Sequence, residues 1–123
     1  MRYLILIHSN PKSWTIWDAL TEEQRSSFGA DHMALSEELA RTGELVASEG
    51  LPGPEYSTWV TSKDGHIATD GPFAEVKEYV AGFYLVECDS KERAIELAAM
   101  VPDARNGSPV EVRQVFDMSL LDD

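Results

Sequence analysis

A chain of 123 residues is long enough for one domain with a single core and too short for two of ordinary size. Its 43% apolar and 9% aromatic content is that of a folded globular protein rather than a disordered one. With 22 acidic against 10 basic residues the formal charge is −12, which repels phosphate backbones and anionic lipid and argues against nucleic acid or a membrane surface as partner.

The chain opens on Tyr3-Leu4-Ile5-Leu6-Ile7, apolar at successive positions as a strand is when both its faces are buried. That run is too short for a signal-peptide core. Nothing approaches the roughly twenty apolar residues of a membrane span, so a cytoplasmic chain is expected. Residues 9–20 read as an irregular connection in which Trp14 and Trp17 shield a cleft mouth or anchor a loop. Thr21-Glu22-Glu23-Gln24 has the spacing of a capping box and starts a helix. Phe28, His32, Leu35 and Leu39 share one face of that helix, which runs to about Thr42 and stops at Gly43, with Gly29 expected to dent or break it. Residues 44–48 supply a short strand, and Leu51-Pro52-Gly53-Pro54 forces a loop. Residues 56–62 and 66–69 flank the turn Lys63-Asp64-Gly65 as an inserted hairpin.

Asp70-Gly71 is a turn pair, and Pro72 suits the first position of a helix, so Asp70 is expected to cap a helical turn running to about Tyr79. Residues 80–88 form a second strand apolar on both faces. Cys88 continues that run and reads as a small core residue; with no second cysteine there is no intrachain disulfide. Asp89-Ser90 caps a helix through Met100 with Ala94, Leu97, Ala98 and Val101 on its inner face, and Pro102 follows as a stop signal. In residues 110–116, Val110 and Val112 alternate with Glu111 and Arg113, the pattern of an edge or half-buried strand.

The order β-α-β, hairpin, β-α-β makes residues 1–123 a single α+β domain with the ferredoxin-like split βαβ arrangement and an inserted β-hairpin. In that topology the first and third core strands lie in the middle of the sheet, and these are the two that are apolar on both faces. Helices cover only one face of such a sheet, so a homodimer packing sheet against sheet is expected to cover the other.

Thr69-Asp70-Gly71-Pro72-Phe73-Ala74-Glu75, Lys77-Glu78, Gly82-Phe83-Tyr84-Leu85, Pro102-x-Ala104-Arg105, and Gly107-Ser108 leading into Val110-Glu111-Val112-Arg113 resemble the YCII-related superfamily, and within it the DGPF-type proteins. The likeness runs from the opening strand to about Val115, with mild departures at Val76 and Val80-Ala81. It implies a ferredoxin-like fold assembled as a dimeric α+β barrel. It also implies kinship with small isomerase-like, dehalogenase-like and monooxygenase-like proteins, and it carries no single activity. Many DGPF-type proteins are encoded beside alternative sigma factors or resemble domains fused to them.

The resemblance also implies a site. Better-studied YCII-like proteins carry a helical His eleven residues before a Gly, and an Asp near the position of Asp70, proposed together as an active-site pair. Here His32 stands eleven residues before Gly43. An ionised Asp70 beside His32 fixes the imidazole tautomer and equips it for proton transfer next to a carbonyl or for elimination of a small leaving group. A packed core histidine and a turn-capping aspartate are the plainer readings of the same two residues. His8, at the end of the first strand, and Arg113 are candidate substrate contacts. The histidines lack His-x-His or i,i+4 spacing, so no metal is expected, and no phosphate-cradling glycine loop or other cofactor signature appears. Three functions stay open: a cofactor-independent lyase-like or isomerase-like enzyme using His32 and Asp70 on a small organic substrate, a non-catalytic ligand-binding or regulatory module tied to sigma-factor signalling, or a dimeric structural adaptor with no pocket.

Overall fold

The computed structural model of the chain describes residues 1–73 and 76–121. Its elements are β1 (Arg2–Ser9), α1 (Pro11–Ala19), α2 (Glu22–Thr42), β2 (Leu45–Gly50), β3 (Trp59–Lys63), β4 (His66–Asp70), β5 (Tyr79–Glu87), α3 (Lys91–Ala99), α4 (Pro102–Arg105) and β6 (Val110–Gln114), with single 3-10 turns at Pro54–Tyr56 and Met118–Leu121.

The four-stranded antiparallel sheet has the order β2-β5-β1-β6, so the two doubly apolar strands, β5 and β1, are its centre, as the split βαβ arrangement requires. Alternation along β1 sends Tyr3, Ile5 and Ile7 toward the helices, and Tyr84 and Val86 of β5 join them. Leu35 and Leu39 of α2, Ala94, Leu97 and Ala98 of α3, and Val101 close this core. Ile5, Val86, Leu97 and Val101 are wholly buried; removing such a side chain from water stabilises by about 1.5–3 kcal/mol. Cys88 lies in the same cluster, and burial pushes its thiol above the ordinary value. The opposite face carries Leu4, Leu6, Phe83 and Leu85, half-buried and uncovered by any helix; the sheet of one chain is open and does not close into a barrel.

Local signals explain most boundaries. The capping box at Thr21 forms in both directions, the Thr21 hydroxyl accepting from the Gln24 N–H and the Gln24 side chain accepting from the Thr21 N–H. Gly43 ends α2 at φ 82°, a left-handed conformation that glycine adopts without a Cβ penalty. Gly29 leaves α2 unbroken, since one mid-helix glycine costs only about 1 kcal/mol relative to alanine and the helix is capped at both ends and packed into the core through Leu35 and Leu39. A bidentate pair, Arg93 Nε and Nη2 to the two Glu44 carboxylate oxygens at 2.9 and 3.0 Å, ties α3 to the start of β2.

Three expectations are corrected. Residues 11–19 form a helix rather than an irregular connection: Asn10 accepts from the Ser13 N–H, Ser13 accepts from the Asn10 N–H, and Pro11 occupies the first turn. Pro102 begins α4 instead of merely ending α3, because Val101 is extended and Pro is tolerated in a first helical turn. No helix is formed by the described residues 71–73 and 76–78 after Asp70, where a local bond runs from the Val76 N–H to the Phe73 carbonyl at 3.3 Å. Asp70 Oδ1 accepts from the adjacent Gly71 N–H, and Gly71 stands at φ 93°, a left-handed conformation foreign to the first helical position after an N-cap; residues 74–75 of the expected turn lie outside the described residues. The hairpin β3–β4 turns at Asp64-Gly65, both at positive φ, and every residue of its two strands is exposed. Among the described residues no helix is long and apolar enough to cross a membrane.

Candidate functional site

The inner face of α2 changes character along its length. Leu35 and Leu39, nearer the C-terminus, enter the core, whereas His32 and Phe28, one and two turns earlier, border a cleft. Phe28 meets the His32 ring edge-on at 4.8 Å, and the Tyr84 ring of β5 lies nearly parallel to it with centroids 5.9 Å apart. Asp103 comes from α4. The buried Pro102 and the Ser108 N–H donated to the Asp103 carbonyl at 2.9 Å fix that short helix.

His32 joins the two flanking groups. Its Nε2 lies 2.9 Å from Asp103 Oδ1 and its Nδ1 lies 2.6 Å from the Tyr84 hydroxyl. A carboxylate only accepts, so Nε2 carries the imidazole proton; Nδ1 then presents its lone pair and accepts the Tyr84 O–H. For the neutral imidazole this is a directed chain, Tyr84 O–H to His32 Nδ1 and His32 Nε2–H to Asp103, with the His32 carbonyl oxygen a second, longer acceptor for the Tyr84 O–H at 3.4 Å. Burial pushes the Tyr84 phenol above its ordinary value and the Asp103 charge adds to this, against the opposing effect of the Ser36 hydroxyl. Tyr84 is therefore a neutral donor at physiological pH.

A cleft of about 590 Å³ opens beside this triad between α2, β2 and β5. A smaller compartment of about 260 Å³ lies toward α1 and is bordered by Trp14 and Trp17. The two share Ile7, Phe28, Ala81 and Asp103, so Asp103 stands where they meet. Gly82 also borders the larger cleft, and a Cβ there would come within 3.0 Å of the Glu49 carbonyl oxygen, so the glycine lets β2 approach β5 this closely. Among the described residues no group of three or more His, Cys, Asp or Glu side chains converges to hold a metal ion.

The family of the YCII-related domain matches residues 1–119 of this chain. This chain belongs to the YCII-related family. A curated relative is an uncharacterised protein of Rhizobium meliloti (strain 1021), 29% identical over 110 residues that span 89% of this chain and 84% of that one.

Within this YCII-related chain the residues singled out from sequence fall in three places. His32 lies in the cleft. Asp70 ends the exposed strand β4 with its carboxylate turned to the Gly71 N–H, and it is not among the partners of His32, whose two ring nitrogens are taken by Tyr84 and Asp103. His8 borders the small compartment, but its Nε2 lies 2.9 Å from Glu111 Oε1. Glu111 pairs with Leu6 and Arg113 with Leu4, so both belong to the sheet face turned away from α2 and α3. Arg113 Nε donates to Glu111 Oε2 at 2.6 Å, and the bonds from His8 and Arg113 hold the Glu111 carboxyl below the ordinary range.

Asp103 and Tyr84 are the functional candidates that sequence reasoning passed over. Asp103 is the unspecified position inside Pro102-x-Ala104-Arg105, and Tyr84 ends Gly82-Phe83-Tyr84, so both sat within the YCII-like segments. The available signal was an acidic residue directly after a proline that opens a helix. Its contact with His32, 71 positions away, is a product of the fold.

Proposed function

We propose that this YCII-related chain is a cofactor-independent enzyme that moves a proton on a small organic molecule, with His32 and Asp103 as its acid–base unit. The observation that carries this reading is His32 held between a carboxylate and a neutral phenol at the wall of a cleft large enough for a small ligand. A substrate proton passes to Asp103, the triad member that both compartments share, while the Nε2–H donated to Oδ1 steadies the carboxylate. Tyr84 keeps Nδ1 occupied, so the imidazole proton stays on the Asp103 side. Uptake of a proton beside a carbonyl is the first half of an isomerisation, and with a leaving group on the neighbouring carbon it is the first half of an elimination.

The test is carbon-bound proton exchange. Small ketones are incubated with the protein in D2O and deuterium entry beside the carbonyl is followed by NMR. Exchange that falls at least about 100-fold in both His32→Gln and Asp103→Asn is expected, the scale on which general acid–base groups act. Absence of exchange, or exchange unchanged in both variants, contradicts the reading and leaves the binding-module alternative.

We also propose that the chain works as a homodimer. The open sheet face carries Leu4, Leu6, Phe83 and Leu85, and the hairpin arm exposes Trp59, Val60 and Ile67. Apolar surface of this extent is costly to leave in water, and a second copy offers a matching surface.

A further inference from the structure

From the lining of the two compartments we infer that the cleft selects a ligand with an aromatic or similarly flat apolar group and a polar end that is neutral or positively charged, and that it discriminates against anions. This rests on the cleft being a small-molecule site, but not on His32 and Asp103 performing chemistry there.

The apolar half of the ligand is specified by the small compartment. Trp14 and Trp17 of α1 are each about 40% exposed, and both border that space. Trp17 meets Phe28 edge-on at 5.3 Å, so the compartment has two indoles and a phenyl ring around it, with Ile7 at the sheet. Trp14 is held in orientation by its indole N–H donated to Ser9 Oγ at 2.8 Å. Half-exposed aromatic rings around a concavity present apolar area to a guest, and a planar guest gains stacking or edge contacts as well.

The sign of the polar end follows from the charged residues. Among the described residues bordering either compartment, Glu37, Glu49 and Asp103 are acidic and none is lysine or arginine. Arg25 packs over the Trp17 ring at 5.4 Å and donates to the Trp17 carbonyl at 3.1 Å; it borders neither space. A chain of net charge −12 adds a background of the same sign. A carboxylate or phosphate entering here would lose water without gaining a lysine or arginine partner, whereas an ammonium finds carboxylates and aromatic faces, and a neutral ketone or alcohol gives up less hydration than an anion does. Asp103, at the junction, is within reach of a polar end whose apolar group occupies the compartment beside it.

The experiment is a titration of the full chain, assigned by NMR, with three probes that share one ring: phenethylamine, 4-phenyl-2-butanone and 3-phenylpropanoate. The amine and the ketone are expected to shift the indole N–H signals of Trp14 and Trp17 while leaving Trp59 of the hairpin in place, and each to bind at least tenfold more tightly than the carboxylate. In Trp14→Leu the affinity for both is expected to fall at least fivefold with the amide spectrum otherwise retained. In a Glu37→Gln, Asp103→Asn variant the preference of amine over carboxylate is expected to fall below threefold. Equal or tighter binding of 3-phenylpropanoate, shifts confined to Trp59, or no response of Trp14 and Trp17 to any probe overturns the inference. Selective binding of amine and ketone without carbon-bound exchange leaves it standing and removes only the proposed chemistry.

Discussion

Nε2 of His32 lies 2.9 Å from Oδ1 of Asp103. The contact joins the middle of α2 to the first turn of α4, and it gives the imidazole one orientation. Tyr84 completes the arrangement from the sheet at 2.6 Å. Three elements distant in sequence thus define one tautomer of one histidine.

Tyr84→Phe removes only the hydroxyl and leaves Nδ1 facing an apolar ring. The expected cost is about 1 kcal/mol of stability, the usual net worth of one hydrogen bond. Urea unfolding of the two proteins should give a lower midpoint for the variant with an unchanged slope, since the surface exposed on unfolding is the same. A midpoint equal to that of the parent would mean that the phenol contributes no net bond to the triad.

The Glu44–Arg93 pair gives a pH signature. The hydrogen bonds from Arg93 hold the Glu44 carboxyl below the ordinary carboxylate range, against the opposing effect of burial. A carboxyl depressed in the folded state stabilises above its unfolded value and ceases to do so as the pH falls through the folded value. Glu44→Gln should therefore be less stable than the parent at pH 7. The difference should shrink once the pH falls below about 4.3, the ordinary glutamate value. A difference independent of pH between 7 and 3 would show that the pair is not electrostatic in origin.

Assembly is read by sedimentation. A dimer at micromolar concentration is expected, and charged substitutions on the open sheet face, such as Leu6→Lys with Leu85→Glu, should yield monomers that keep the helical signal. A monomeric parent would contradict the role given to that face.

The fold was legible where one local signal decided it. Two doubly apolar strands marked the centre of the sheet, and the capping box at Thr21 and the glycine at position 43 bounded α2. The helix at residues 11–19 was hidden because its start depends on reciprocal bonds between Asn10 and Ser13, while its half-exposed indoles border the smaller compartment and no residue of the helix is buried. The site was half legible. His32 stood out by its spacing to Gly43, but its carboxylate partner follows from tertiary contact, which no spacing between residues 32 and 103 records. Asp70 is a site candidate through the YCII-like resemblance alone, and in the structure its carboxylate serves the turn at the end of β4.

The most direct test of the account is the imidazole N–H of His32. An exposed imidazole proton exchanges with water too quickly to be seen, whereas one donated to a carboxylate in a half-buried site persists. In the wild-type protein a proton signal correlated to His32 Nε2 is expected at neutral pH. The account predicts that it is lost in Asp103→Ala and kept in Asp70→Ala. Retention in Asp103→Ala together with loss in Asp70→Ala would contradict the central claim and return the pairing to Asp70.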